Sequence, residues 1–171
     1  MTKNMPAAPE HRPAPRYVGQ AIVTKDPSMN EDALTFLSQQ HPYDELPPSV
    51  VQDIARQVAK ISVAEGEIIY ELGVKLDGLY IVQNGHVSVS DATGTPISLL
   101  ERGNSFGERG LLAQGHSVTS ARAVTDTLLI CVPAVLFDTL RAQQPAFELF
   151  FRGCVWACEG NPFYYSVPAA E

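Results

Sequence analysis

The sequence lacks the features that mark several large protein classes. Within its 171 residues, no apolar run approaches the ~20 residues that a membrane-spanning helix needs. Lysine and arginine form no cluster of the kind that neutralises the phosphates of a nucleic acid. The polar, proline-containing N-terminus carries no apolar signal segment. We therefore expect a soluble, cytoplasmic chain that engages neither a membrane nor nucleic acid.

Motifs for catalysis and metal binding are also missing. There is no nucleophile elbow, no P-loop and no dinucleotide fingerprint. The histidines His11, His41, His86 and His116 are isolated, so no strand offers the close histidine pair that a metal-dependent barrel enzyme needs. Three cysteines without paired Cys-x-x-Cys spacing argue against a disulfide framework or zinc site, and we expect Cys131 to pack in the core. We predict neither an enzyme nor a resident cofactor.

Charge and proline are unevenly distributed along the chain. Residues 1–30 hold five of the thirteen prolines and four Lys/Arg against two acids, with no apolar periodicity. The remaining residues hold eight Lys/Arg against seventeen acids, so the acidic charge lies in the folded part. This composition predicts a disordered, proline-rich arm over residues 1–30.

The spacing of the hydrophobic residues changes twice after residue 31, from helical to alternating and back to helical. Helical spacing marks 47–60 and 134–144, with a short helical pattern near Leu34 and another after Pro145. Between them the period becomes two, and turn residues recur every eight to twelve positions. Asn84-Gly85 predicts a hairpin over 78–91. Candidate strands are 61–64, 67–71, 78–83, 86–91, 96–101, 117–124 and 127–132.

This order of elements predicts a fold that is mainly β. Short helices are followed by a block of seven or eight short strands, and the chain then returns to helix. The pattern is typical of an all-β barrel with flanking α-helices.

Several glycines and their neighbours then carry a family resemblance. In their order and spacing over residues 34–151, they resemble the cyclic nucleotide-binding domain, the eight-stranded jelly-roll (double-stranded β-helix) module of catabolite activator protein and of protein kinase A regulatory subunits. FLSQQHPYDELPPSVV and FGERGLL are most similar in character to the N-terminal sensor module of signal-transduction proteins that also carry CBS and nucleotidyltransferase-like domains. The resemblance implies a non-catalytic regulatory module whose output lies in a partner protein or another domain. The landmarks are Gly66-Glu67-Ile68-Ile69, Gly78-Leu79-Tyr80-Ile81-Val82, Gly85, Val87, Phe106-Gly107-Glu108 and Ala121-Arg122-Ala123.

The stretch FGERGLLAQGHSVTSARA (106–123) corresponds to the ligand cassette of that family. There, a glutamate accepts a hydrogen bond from the ribose 2′-hydroxyl, while an arginine and the N–H groups of a short helix hold the cyclic phosphate. Gly107 and Glu108 match the glycine and the glutamate. His116 falls where a proline belongs, and Ser117 falls where the arginine belongs. Because serine carries no charge, the resemblance implies a cassette that is degenerate for cAMP.

A second interpretation stays open. Arg109 follows Glu108, and His116 adjoins Ser117, so either cation could pair with a cyclic nucleotide, another anionic nucleotide or a different small anion. Glu108 could equally be structural, pinning the loop by accepting backbone N–H bonds. The candidate ligand-binding residues are Phe106, Gly107, Glu108, Arg109, His116, Ser117, Val118 and Ser120.

The C-terminal segment is the least interpretable part of the sequence. We divide the chain into the arm (1–30), the cyclic nucleotide-binding-like domain (31–151) and a short tail (152–171). The tail could cover the barrel, stack over the pocket or mediate a homodimer contact. Its notable residues are Cys154, Trp156, Cys158, Phe163, Tyr164 and Tyr165.

Overall fold

The computed structural model describes residues 22–24 and 29–158. The strands are β1 Ile22–Thr24, β2 Ala59–Val63, β3 Ile68–Tyr70, β4 Gly78–Asn84, β5 Val87–Ser90, β6 Pro96–Leu100, β7 Ser105–Phe106, β8 Ser120–Ala123 and β9 Thr127–Pro133. The α-helices are α1 Met29–Ser38, α2 Pro48–Gln57, α3 Glu108–Ala113, α4 Ala134–Gln143 and α5 Pro145–Cys158, with a short 3₁₀ helix at Tyr43–Glu45.

The strands form two antiparallel sheets that face each other. One has the order β1-β2-β9-β4-β7, and the other has the order β3-β8-β5-β6. Strands β2 to β9 are the eight strands of the jelly roll, and β1 adds a further strand at the edge beside β2. The predicted fold class, a mainly β jelly roll with flanking helices, is confirmed.

The hydrophobic residues divide between two clusters, one on each side of the five-stranded sheet. The inner cluster fills the space between the sheets and includes Tyr80, Val82 and Cys131. The outer cluster joins α1, α2, α4 and α5 to the other face of that sheet, with Leu79 and Ile81 among its members. Strand β4 is therefore buried on both faces, and its first six residues are all buried.

The predicted hairpin over 78–91 is wrong. Strand β4 pairs with β7 and β9, whereas β5 pairs with β6 and β8, so the chain crosses from one sheet to the other at Asn84-Gly85. Gly85 supports a turn with φ of +92°, but the turn joins two sheets. The hairpin of this region is β5–β6, which closes through Ala92-Thr93-Gly94. A period of two marks strands and cannot tell which strands pair.

Several predicted boundaries also need correction. Helix α2 ends at Gln57, and Ala59 and Lys60 belong to β2, where Lys60 lies opposite Ile130 of β9. The strand predicted over 117–124 begins only at Ser120, and the two-residue β7 was not predicted.

The predicted domain limits cut through regular structure. Helix α5 continues to Cys158, past the predicted domain end at 151. Within the arm that we expected to be disordered, residues 22–24 form β1 and α1 begins at Met29. The other arm residues, like tail residues 159–171, lie outside the described part of the chain.

Candidate functional site

The cassette begins where β7 ends. Gly107 adopts a φ of +93°, a left-handed conformation that favours glycine, and this residue turns the chain directly into α3. Phe106, the last residue of β7, stacks on Tyr80 of β4 at a ring-centroid distance of 5.3 Å and lies 6.0 Å from Tyr70. The aromatic rings of the barrel interior thus fix the position from which α3 starts.

Glu108 is the first residue of α3 and only 2% exposed. Its charge acts on Tyr70, whose phenol has its pKa raised mainly by burial and further by the Glu108 carboxylate. The Tyr70 hydroxyl lies 3.4 Å from Oγ1 of Thr119, which is also buried. The structure therefore brings Glu108 towards a buried polar group, the Tyr70–Thr119 pair, that the sequence did not indicate.

Ser117 turns its hydroxyl inwards. The side chain is buried at 4% exposure, and its Oγ donates a hydrogen bond to the main-chain carbonyl of Glu71 at 2.5 Å. The main chain of Ser117 makes two more bonds to the same loop, donating to the carbonyl of Val74 at 2.8 Å and accepting from the N–H of Gly73 at 2.9 Å. Ser117 therefore fastens the cassette to residues 71–74.

Helix α3 lies very close to the segment that precedes Ser117. A Cβ added at Gly110 would stand 2.5 Å from the main-chain carbonyl oxygen of His116 and 2.7 Å from Cδ1 of Leu76. The N–H of Leu76 donates to the carbonyl of Gly115 at 2.8 Å. The glycine at position 110 permits this close packing, for which a larger side chain has no room.

The remaining predicted residues lie on the outside of the cassette. His116 is exposed and forms an isolated β-bridge with Lys75, which is also exposed. Arg109 is half-buried on α3, Val118 is 41% exposed, and Ser120 is half-buried at the start of β8. The predicted residues thus divide into a buried group, Phe106, Glu108 and Ser117, and a group that borders solvent.

Sequence reasoning missed three contributors to this site. They are Tyr70 and Thr119, whose hydroxyl oxygens lie 3.4 Å apart, and the main-chain carbonyl of Glu71, which accepts the hydrogen bond from Ser117 Oγ. Tyr70 and Thr119 are 49 residues apart in the chain, and Ser117 and Glu71 are 46 apart. No spacing rule connects positions at such separations.

The described residues contain no cluster of possible metal ligands. Among them, no three His, Cys, Asp or Glu side chains come together in a group that could hold a metal ion. Cys131 packs in the inner cluster, as predicted, and burial followed by the charge of Asp77 raises the pKa of its thiol to about 12. Over the same residues, no helix is long and apolar enough to cross a membrane.

The family model described as cyclic nucleotide-binding domain matches residues 60–144. These residues include the whole cassette and all eight jelly-roll strands, apart from Ala59 at the start of β2. Residues 60–144 of this chain belong to the cyclic nucleotide-binding domain family. The matched domain consists of the jelly-roll strands, the cassette helix α3 and helix α4. The predicted family is confirmed.

Known relatives place this domain in larger proteins. Lysophospholipase NTE1 of Phaeosphaeria nodorum is 30% identical over 106 residues, which cover 60% of this chain and 7% of that protein. The chain thus spans a small fraction of the curated relatives that it matches, and the match says nothing of lysophospholipase activity in this chain.

Solved structures with the same fold include two regulatory subunits. The cAMP-bound PfPKA-R has a TM-score of 0.68 at 20% identity, covering 77% of this chain and 46% of that one. The regulatory subunit of a cAMP-independent protein kinase A from Trypanosoma brucei has a TM-score of 0.68 at 20% identity, covering 81% and 51%. At this level of identity the likeness concerns the fold of the domain.

Proposed function

We propose that this chain is a non-catalytic regulatory module of the cyclic nucleotide-binding family whose cassette does not hold cAMP. The observation that carries the proposal is the position of Ser117, which stands where the family has its phosphate arginine. Its hydroxyl is buried and already donates to the carbonyl of Glu71. A cyclic phosphate at this position would find neither a charge nor an available hydroxyl.

The size of the loss follows from the bonds that an arginine makes. A bidentate arginine–phosphate pair has two charge-assisted hydrogen bonds, each worth about 1.5–3 kcal/mol net. Because ~1.4 kcal/mol corresponds to a tenfold change in affinity, removing the pair weakens cAMP by roughly two orders of magnitude or more. A micromolar ligand becomes a submillimolar one.

The relatives are compatible with this proposal because the fold leaves the ligand undecided. Of two regulatory subunits with the same TM-score of 0.68, one is named as cAMP-bound and the other as belonging to a cAMP-independent kinase. The jelly roll therefore serves as a regulatory scaffold in both settings. In our proposal this chain acts in the cytoplasm and regulates a partner protein or a further domain.

Isothermal titration of the full chain with cAMP and with cGMP tests the proposal. We expect no saturable heat in the micromolar range for either compound. A dissociation constant at or below about ten micromolar for either one overturns the proposal, because such an affinity requires the charge pairing that Ser117 lacks.

A second candidate function rests on the cations that border the cassette. Arg109 is half-buried on α3, and Lys75 and His116 form an isolated β-bridge beside Ser117. In this second candidate, the phosphate of an anionic nucleotide pairs with these three side chains, and Glu108 accepts a hydrogen bond from its ribose. A thermal-shift screen across nucleotides near pH 6 and pH 8 tests this candidate, because a true ligand raises Tm by mass action. Any shift should vanish in Arg109→Ala and persist in Arg122→Ala, whose arginine is exposed on β8.

A further inference from the structure

The motif Asn84-Gly85 lies outside the cassette and has a chemistry of its own. The chain has asparagine at positions 4, 30, 84, 104 and 161, and of these Asn84 alone is followed by glycine. Asparagine is a thermolabile residue, because the main-chain nitrogen of the next residue can attack its side-chain carboxamide. Glycine in that next position presents no side chain that hinders the attack.

The carboxamide of Asn84 lies directly against the nitrogen that would attack it. The N–H of Gly85 donates a hydrogen bond to Oδ1 of Asn84 at 2.9 Å. Because Oδ1 is bonded to Cγ, this contact also holds the electrophilic carbon near the Gly85 nitrogen. Asn84 is the exposed last residue of β4, so water and hydroxide reach its carboxamide.

Asn104 supplies a comparison within the same chain. Its Oδ1 accepts from the N–H of Glu101 at 2.9 Å, so its carboxamide is directed back along the chain. Its main chain is held by two hydrogen bonds, one to the carbonyl of Glu101 and one from the N–H of Val82. Asn104 is also half-buried and precedes Ser105, whose side chain hinders the attack. The structure therefore distinguishes Asn84 from Asn104 in geometry as well as in sequence.

We propose that Asn84 is a site of spontaneous deamidation in the folded protein, with water as the co-reactant. The Gly85 nitrogen gives its proton to a solvent base, and its electron pair forms a bond to Cγ of Asn84. The bond from Cγ to Nδ2 then breaks, and the side-chain nitrogen takes up a proton and leaves as ammonia. Water opens the resulting cyclic imide at either carbonyl, so that asparagine and water become aspartate or isoaspartate and ammonia.

The two products differ in their effect because the crossing from β4 to β5 is tightly packed. A Cβ added at Gly85 would stand 2.5 Å from the main-chain carbonyl oxygen of Asp126 and 2.6 Å from Oγ1 of Thr127. The N–H of His86 donates to Oγ1 of Thr125, and its carbonyl accepts from Oγ1 of Thr127, each at 3.1 Å. Aspartate exchanges a neutral side chain for an anionic one of the same shape, whereas isoaspartate adds a carbon atom to the main chain. We expect the isoaspartate form to be the less stable one.

Ageing of the full chain at physiological temperature in heavy-oxygen water tests the site, because the water that opens the imide labels the product. Cleavage after Lys75, Arg102 and Arg109 places Asn84 and Asn104 on separate peptides, whose label mass spectrometry measures. We expect label in the Asn84 peptide, as aspartate and isoaspartate, and little in the Asn104 peptide. Equal label in the two peptides, or label at Asn84 only when the chain is held in urea, overturns the proposal.

Variants and pH test the chemistry. Asn84→Gln should abolish the label in its peptide, because a longer side chain closes a larger and less favourable ring, and Asn104→Gln is the matched control that should leave the label intact. The rate at Asn84 should rise from mildly acidic to mildly alkaline pH, because the Gly85 nitrogen must lose its proton. A rate that does not change with pH contradicts attack by that nitrogen.

Thermal unfolding separates the effects of the two products. Asn84→Asp carries the new charge without the extra main-chain atom, and we expect its Tm to stay close to that of the wild type. Aged protein rich in isoaspartate should unfold at a lower temperature than Asn84→Asp. Equal Tm values for the two would contradict the effect that we assign to the packing around Gly85.

Discussion

The hydroxyl of Ser117 donates to the main-chain carbonyl of Glu71 across 2.5 Å, and this bond ties the cassette to the loop that follows β3. Two main-chain hydrogen bonds support the same contact: the N–H of Ser117 donates to the Val74 carbonyl, and the Ser117 carbonyl accepts from the N–H of Gly73. The residue that replaces the family's phosphate arginine has therefore become part of the scaffold. Three predictions follow from this arrangement and from the packing around it, and a fourth concerns the ion pair between α1 and the barrel.

Restoring the arginine should restore affinity for cAMP. In Ser117→Arg, a bidentate pair with the cyclic phosphate becomes available again, and we expect cAMP to bind roughly two orders of magnitude more tightly than it binds the wild type. Isothermal titration measures the gain. Ser120→Arg, at a half-buried position on β8, is the control and should leave the affinity unchanged. A folded Ser117→Arg protein with no gain would mean that the cassette differs from the family in more than this residue.

Removing the Ser117 hydroxyl should loosen the cassette. Ser117→Ala deletes the donor to the Glu71 carbonyl, and a typical intramolecular hydrogen bond contributes ~0.5–1.5 kcal/mol to stability. We expect urea denaturation to show a loss of that size with an unchanged m-value. The control variant Ser120→Ala, on the same segment, should change stability less. Equal effects of the two substitutions would remove the structural role that we assign to Ser117.

Adding a methyl group should have opposite effects in two helices. Gly110→Ala places a Cβ 2.5 Å from the His116 carbonyl oxygen, and overpacking of this kind costs ~1–3 kcal/mol. Gly153→Ala, in α5, meets nothing within 4 Å and should stabilise by up to ~1 kcal/mol through helix propensity. Thermal unfolding of both variants measures the contrast. A neutral Gly110→Ala would show that α3 is free to move away from His116.

The ion pair between α1 and the barrel should depend on pH. Asp32 accepts from Lys60, whose side chain is buried at 7% exposure, and from Gln83 at 3.0 Å. These hydrogen bonds, chiefly that from Lys60, lower the pKa of Asp32 against the opposing effect of burial, with help from the charges of Lys60 and Arg102. Because the pKa of Asp32 is lower in the folded protein than in the unfolded chain, the ionised carboxylate stabilises the folded state. This stabilisation is complete above the unfolded-state pKa of about 3.9, and it is lost as pH falls through the folded-state pKa.

The Asp32 side chain is 60% exposed, so solvent screens its pair with the buried Lys60. We therefore expect Asp32→Asn to destabilise the protein near pH 7 by no more than about 1 kcal/mol. The difference from the wild type should shrink on acidification below about pH 4, which urea titrations at several pH values would show. Asp53→Asn breaks the exposed pair with Arg56 on α2 and serves as the control, with little effect expected. A penalty for Asp32→Asn that persists at the lowest pH would contradict the assignment.

The sequence predicted the class of fold and the place of the cassette because both depend on local signals. The period-two block, the turn glycines and the order of landmarks from Gly66 to Ala123 are visible without coordinates. The departure at Ser117 is equally visible, since it needs only the register of one short motif. Helix α4 was predicted to within one residue, because its apolar spacing is regular and Pro145 follows it.

The pairing of strands could not be predicted from residue spacing and turn composition. Asn84-Gly85 has the composition of a hairpin turn, yet β4 and β5 belong to different sheets, because burial of β4 on both faces requires neighbours that lie far away in sequence. Lys60 was assigned to a helix for a related reason, since its strand pairing with β9 overrides local helical propensity.

By itself, then, the sequence determined a jelly roll of the cyclic nucleotide-binding family and the absence of an arginine from position 117. Only the tertiary structure decided what Ser117 does in that position, because its partner is a main-chain carbonyl 46 residues away. The same holds for the Tyr70–Thr119 pair, which lies near Glu108, and for Asp32, which joins α1 to Lys60 and Gln83. Local propensity and spacing act over a few residues, whereas hydrogen bonds and burial depend on which distant segments the folded chain brings together.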